Sequence, residues 1–424
     1  MPQRTYRQVL IRPLRDFLAT ESAGGVAIVG AALLALVWAN SPWQESYREF
    51  WSSIIELEVG SFALAFDFRG FVNEALMTIF FLVVGLEIKR EIVEGELREP
   101  SARSLPVVAA VGGMVVPALI YAGLNWGRPE IQGWGVPIAT DIALAVGVMS
   151  LARNASPRLK VFLLALAIVD DIGAIFVIGV VYAGGIELGW IVAACLCIAL
   201  VVLLQRSGVA AVWLYVAAGA GLWWALHEAG VHATLAGVTL GLLAPAKPHL
   251  SPELIDQGEL ISLGTARDAQ TTVEIARSSV SVVEWVEHRL HPWTSYLIVP
   301  VFALANAGVT LSGDSVGEAI NSPVAWGVTL GLLVGKPLGI LSFAALAVRV
   351  GAAALPIGVS WTGILGAGLV AGMGFTVSLF VAQLALPLAA ADHARLGIVA
   401  ASILAGSIGL LVLRHIADKS SMNS

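Results

Sequence analysis

Apolar residues in this chain come in long runs separated by short polar connections, without the strict alternation of strands or the narrow stripe of a soluble helix. A run that crosses a bilayer as a helix needs about 20 residues at 1.5 Å each. Twelve spans are read on this basis: 24–40, 71–89, 105–123, 134–151, 161–184, 188–204, 209–225, 232–245, 295–310, 325–346, 360–384 and 394–415. The weakest is 232–245, HATLAGVTLGLLAP, which is short for a crossing. Backbone polar groups in hydrocarbon must be satisfied within the segment. The spans therefore predict helices, and the fold class is an all-α polytopic membrane protein with twelve transmembrane helices.

The basic residues alternate with these spans. Arg4, Arg7, Arg12 and Arg15 precede the first span; Lys89, Arg90, Arg98 and Arg103 follow the second; Arg153, Arg158 and Lys160 follow the fourth. Arg206, then Lys247, Arg267, Arg277 and Arg289, then Arg349, then Arg414 and Lys419 continue the same side, whereas the other side holds Arg48, Arg69, Arg128 and Arg395. The positive-inside bias then places both termini in the cytoplasm. Composition agrees: 13% charged residues and a mean hydropathy of +0.84, against roughly 25% charged residues in soluble domains. The net charge of −6 adds little, because placement matters more than the sum.

A single membrane domain over 1–424 is expected, with cytoplasmic tails at 1–23 and 416–424 and no cleavable leader. The connection 41–70 contains LEVGSFALAFDF, two strand-like runs around a Gly-Ser turn, and reads as an external β-hairpin whose free edge could pair with a second copy. Residues 246–292 are polar and long, and read as a cytoplasmic loop that is mobile or weakly helical. Cys195 and Cys197 sit within one apolar run and read as structural, with no metal site or disulfide.

Six ionisable residues stand out within the spans: Glu87, Asp141, Asp170, Asp171, His232 and Lys336. Asp141, the adjacent Asp170 and Asp171, and Lys336 all fall near the middle of their spans. One such charge costs at least about 2.5–3.5 kcal/mol at that depth. Neighbours on a helix point about 100° apart, so Asp170 and Asp171 face different surroundings. Three acids against one base leave an excess that a structural ion pair does not explain. Span four places Pro137 just before Thr140 and Asp141, and span eleven carries Gly363, Gly366, Gly368, Gly372 and Gly374 ahead of Thr376 and Ser378. Both helices are candidates for interruption at depth. They hold matching positions if spans 3–5 and 10–12 are inverted copies, a pattern that points to a transporter's binding site.

Burial favours a protonated carboxyl, whereas an ionised carboxylate among hydroxyl and carbonyl oxygens suits a small hard cation. One carboxylate cannot hold both. Competition at a site exposed alternately to each side exchanges cation for proton, with Lys336 balancing charge when the cation is absent.

The stretches FFLVVGLEIKRE at 80–91, ATDIALAVGV at 139–148, LALAIVDDIGAI at 164–175, GVHATLAG at 230–237, VPVFALANAGV at 299–309, VGKPLGI at 334–340 and GMGFTVSLF at 372–380 resemble the bacterial NhaA-type Na+/H+ antiporters. The resemblance runs from about residue 20 to 415. It implies inverted repeats with two crossing, interrupted helices, and pH-regulated, electrogenic exchange of Na+ or Li+ for H+ across the bacterial inner membrane. Asp171 then resembles the family's main cation ligand and proton carrier, with Asp170 and Thr140 beside it, and Asp170 forms a switchable pair with Lys336. Asp141 would offset helix N-terminal dipoles and Lys336 the C-terminal ones. Glu87, Glu91, His232 and Glu287 match positions that the family associates with pH response. The family's hairpin implies a homodimer. No resident cofactor, enzymatic activity or nucleic-acid partner is expected. The rival readings are a sodium-coupled solute symporter, which coupled solute uptake would mark; a passive cation channel, against which titratable acids with a compensating lysine favour a closed, alternating site; and an intramembrane aspartyl protease, which leaves Lys336 unexplained. The 246–292 stretch is longer than the compact connection of better-known members.

Overall fold

In a computed structural model of the chain, residues 23–59, 62–152, 156–209, 211–246 and 281–422 are described. Most of the N-terminal tail and of the 246–292 connection, and the last two residues, lie outside that set. Helix α1 (Ala23–Ala39) turns through 114° into α2 (Gln44–Ser52). Strands β1 (Ile54–Val59) and β2 (Phe62–Asp67) follow as an antiparallel pair, with Ile54 opposite Asp67 and Val59 opposite Phe62. The fold is otherwise helical among the described residues.

Next come α3 (Phe68–Val93), containing a π-turn at Val72–Leu76, and α4 (Pro100–Leu124). A 3₁₀ helix, Pro129–Ile138, is bent by 42° from α5 (Ile142–Leu151). Then follow α6 (Pro157–Val181), α7 (Leu188–Arg206), α8 (Val212–Glu228) and α9 (Leu235–Leu243). Helix α10 covers 282–306 through a π-turn at Thr294–Ile298. After α11 (Gly313–Asn321) comes α12 (Pro323–Arg349), with a π-turn at Gly331–Gly335. Helices α13 (Trp361–Ala371) and α14 (Phe375–Ala385) meet at 50°, and α15 (Leu388–Met422) closes the chain.

Six of these helices are long and apolar enough to cross a membrane, or nine if each of three bent pairs forms one crossing. The protein is multi-pass. Large apolar side chains such as Leu33, Leu119, Phe176, Leu196 and Ile403 point outward, as a bilayer requires. The expected span at 232–245 contains only nine helical residues, because His232 and its neighbours form a turn ahead of α9. Residues 282–292 belong to a helix, started by Ser281, whose Oγ accepts from the Glu284 amide at 3.1 Å. Its mixture of Val, Trp, Glu and His resembled loop composition, but the helix continues directly into span nine.

Close approach of α4 and α12 positions the site. A Cβ on Gly339 would lie 2.1 Å from the Gly112 carbonyl oxygen, so only glycine lets these backbones touch. At the other end, α2 braces α10. Tyr47 Oη donates to the Leu304 carbonyl at 2.8 Å, within an aromatic cluster of Trp38, Phe50, Trp51 and Phe68.

Candidate functional site

The two helix breaks lie against each other. Ala139, Thr140 and Asp141 form the break between the 3₁₀ helix and α5, and Gly372–Gly374 form the one between α13 and α14. The Asp141 amide donates to the Met373 carbonyl at 2.7 Å, and the Ser378 hydroxyl donates to the Val136 carbonyl at 2.8 Å. Gly374 is required by this approach, since a Cβ there would lie 2.9 Å from the Ala139 carbonyl oxygen.

Breaking two helices at depth leaves orphan amides and carbonyls. Asp141 serves both N-termini. Its Oδ1 accepts from the Leu144 amide at 3.0 Å, capping α5, and its Oδ2 accepts from the Thr376 amide at 3.1 Å and hydroxyl at 2.6 Å, capping α14. The C-terminal ends are divided between two residues. Lys336 Nζ donates to the Ile138 carbonyl at the end of the 3₁₀ helix, and Thr140 Oγ1 lies 3.0 Å from the Ala371 carbonyl at the end of α13. Charge of the appropriate sign thus sits at three of the four ends.

Asp170 and Asp171, both buried on α6, part company. Asp170 Oδ2 lies 3.0 Å from Lys336 Nζ and 2.8 Å from Thr140 Oγ1. Lys336 and Asp170 are fully buried, so their charges are offset by each other and by these few hydrogen bonds. The single Thr140 hydroxyl proton can serve Asp170 or Ala371, but only one at a time.

Asp171 faces a different space. It lines a cavity of about 50 Å³ with Glu87, Asp141, His291, Thr294 and Thr376, and its Oδ1 has no hydrogen-bond partner among the described residues. Thr140 and Ser295 also contribute to the lining. Such a space holds a few waters or a small cation, not an organic solute. A buried acid without a partner is neutral with a proton, or ionised with a cation beside it.

The four positions matched to pH response do not converge. Glu87 lines the cavity, 3.7 Å from His291 Nε2, and Glu287 is paired with Arg90 Nη1. These two links tie α3 to α10 at one mouth of the site. Glu91 lies one turn past Glu87, against Gly95 and outside the cavity lining. His232 sits apart, its ring 5.8 Å from that of Phe380.

His291, Thr294 and Ser295 were not among the residues expected from sequence. They fall at the boundary assigned to the connection, and only its helical continuation brings them in. Thr376 and Ser378 were visible as hydroxyls behind the glycines, but their partners across the break were not. Glu74, also within the second span, lies near its end and is paired with His227, 3.3 Å away.

This geometry belongs to membrane transporters that bind small ions where interrupted helices meet. The family model described as Na+/H+ antiporter 1 matches residues 15–413, and the chain belongs to that family. The chain is similar to Na(+)/H(+) antiporter NhaA 2 of Sorangium cellulosum, at 45% identity over 98% of this chain and 93% of that one. It is also similar to NhaA 2 of Syntrophotalea carbinolica, at 42% identity over 95% and 96%. NhaA of Cupriavidus necator is 43% identical over 94% and 88%.

Proposed function

We propose that this chain exchanges Na+ or Li+ for H+ across the bacterial inner membrane by competition of proton and cation at Asp171. The observation that carries the reading is Asp171 itself: among the described residues neither Asp170 nor Asp171 has a hydrogen-bond partner at Oδ1, but Asp170 is held through Oδ2 by Lys336 and Thr140, whereas Asp171 faces a cavity of cation size. When ionised, it attracts a cation that the Thr140, Thr294, Ser295 and Thr376 hydroxyl oxygens can help hold. When protonated, it releases that cation. Competition at Asp171 alone would move one H+ for one Na+ and carry no net charge; the electrogenic reading adds a further proton, held by the adjoining Asp170–Lys336 pair when the cation is absent and released when it binds, so that more protons than cations cross per cycle.

Twelve crossings follow if α1, α3, α4, α6 to α10, α12, α15 and the two broken pairs each cross once. The order intact, broken, intact occurs twice, at 100–181 and at 323–422, which supports inverted repeats of spans 3–5 and 10–12. Positive-inside placement puts both termini and the Glu87 mouth in the cytoplasm. There the Glu87–His291 and Arg90–Glu287 links, with Glu91 on the adjoining turn and His232 deeper in the fold, form the pH-responsive region. The hairpin edge joins two copies into a homodimer within the bilayer.

The test uses proteoliposomes with a preset pH gradient. Addition of Na+ or Li+, but not K+, should dissipate the gradient, and the Na+ concentration for half-maximal response should fall as pH rises, because protons leave Asp171. Clamping the voltage with K+ and valinomycin should alter the rate. No cation-driven proton movement between pH 6 and 9 would refute the reading.

A further inference from the structure

Opposite the Glu87 mouth, three carboxamides form a closed ring. Asn73 Nδ2 donates to Gln383 Oε1, Gln383 Nε2 donates to Asn306 Oδ1, and Asn306 Nδ2 donates to Asn73 Oδ1 at 2.8 Å. The ring joins α3, α10 and α14. Between it and the cavity lies Phe380, fully buried, with the Phe81 ring at 5.3 Å and the Phe302 ring at 6.1 Å.

The order is repeated on each of the three helices. On α14, Thr376 lines the cavity, Phe380 follows at i+4 and Gln383 at i+7, along one face. On α10, Ser295 and Val299 line the cavity, then come Phe302 and Asn306, at i+3 and i+7 from Val299. On α3 the sequence runs in reverse, with Asn73 first, Phe81 next and Glu87 at the mouth. The 14 residues from Asn73 to Glu87 span about 21 Å of helix. Cavity, aromatic layer and amide layer are thus stacked along one axis.

Carboxamides suit this position chemically. They carry no charge, so a passing cation is not trapped and the ring does not titrate with the acids it encloses. Their hydrogen bonds can be exchanged for bonds to water, which keeps open and closed arrangements close in free energy. The aromatic layer excludes water beneath them.

We infer that Phe380 and the Asn73–Gln383–Asn306 ring form the gate that closes the cation cavity on the face opposite Glu87, and that α14 must part from α3 and α10 for ions to pass there. The inference rests on the alternating exposure proposed for this site.

The test begins by replacing the free Cys195 and Cys197 with serine. In that background Asn73→Cys and Gln383→Cys are bridged with a short, reducible bis-thiosulfonate in proteoliposomes. Na+-driven proton movement should fall by about tenfold or more on bridging and return on reduction, as when an opening step is blocked. Complete bridging, verified by mass spectrometry, with an unchanged rate would overturn the inference. A second measurement needs no transport. Ser295→Cys in the cavity is reacted with a membrane-impermeant methanethiosulfonate applied from the ring face. Reaction should be at least about tenfold faster when Phe380→Ala and Gln383→Ala are added, because the barrier to entry is lost. Equal rates with and without those changes would overturn the gate. Faster labelling, together with no Na+-driven proton movement by the protein that retains Ser295, would instead uphold the gate and refute the exchange reading.

Discussion

At the residue scale, two neighbouring aspartates have opposite surroundings because one residue along a helix is a rotation of about 100°. Asp170 is held by Lys336 and Thr140, while Asp171 is left to the cavity. Asp171→Asn keeps the shape but removes the exchangeable charge. It should abolish Na+-driven proton movement in proteoliposomes while leaving thermal unfolding in detergent nearly unchanged, since Asp171 Oδ1 has no hydrogen-bond partner to lose among the described residues. Lys336→Ala is a different case. It strands Asp170 without its cation, and breaking one side of a buried pair costs about 3–5 kcal/mol. A large fall in detergent-solubilised melting temperature is expected, and most of it should be recovered in the Asp170→Asn, Lys336→Ala double variant. The excess of acids was legible in the sequence. Which acid would lack a partner was not, because that depends on where Lys336 and Thr140 arrive from other helices.

At the scale of elements, the breaks were foreshadowed by Pro137 and by the glycines of 363–374, but their mutual support was not. Asp141 caps α5 and α14 together, so one side chain holds two helix starts. Asp141→Ala should destabilise the fold by about 1–3 kcal/mol, the sum of a lost N-cap and a lost charge–dipole interaction. Asp141→Asn should retain part of that, because its single oxygen can still accept from one of the two amides. Unfolding in denaturant should rank the three proteins native, Asn, Ala. The residues VVEWVEHRLHPW at 282–293 are too polar for a span, yet they form a helix that runs into span nine and delivers His291 to the site.

At the scale of the molecule, a hairpin of two short strands is marginal in isolation. Here it is anchored between α2 and α3, the chain on either side of which packs through Phe50, Trp51 and Phe68. If its edge joins two copies, replacing residues 54–67 by a short Gly-Ser linker should convert the protein to monomers, as measured by cross-linking in membranes or native mass spectrometry. Exchange per chain should persist, because no residue of 54–67 belongs to the lining of the Asp171 cavity.

The membrane class, the depth of the charges and the two helices prone to break were all legible along the chain. These depend on local hydropathy and backbone chemistry, which each segment carries alone. How the charges are matched emerges only from helix packing: Asp141 to two amide ends, Lys336 to Asp170 and Ile138, and nothing among the described residues to Asp171 Oδ1. Hydrogen bonds and ion pairs act over a few ångströms, and here they join residues as far apart as Asp141 and Thr376. No one-dimensional pattern specifies such contacts until the helices have packed.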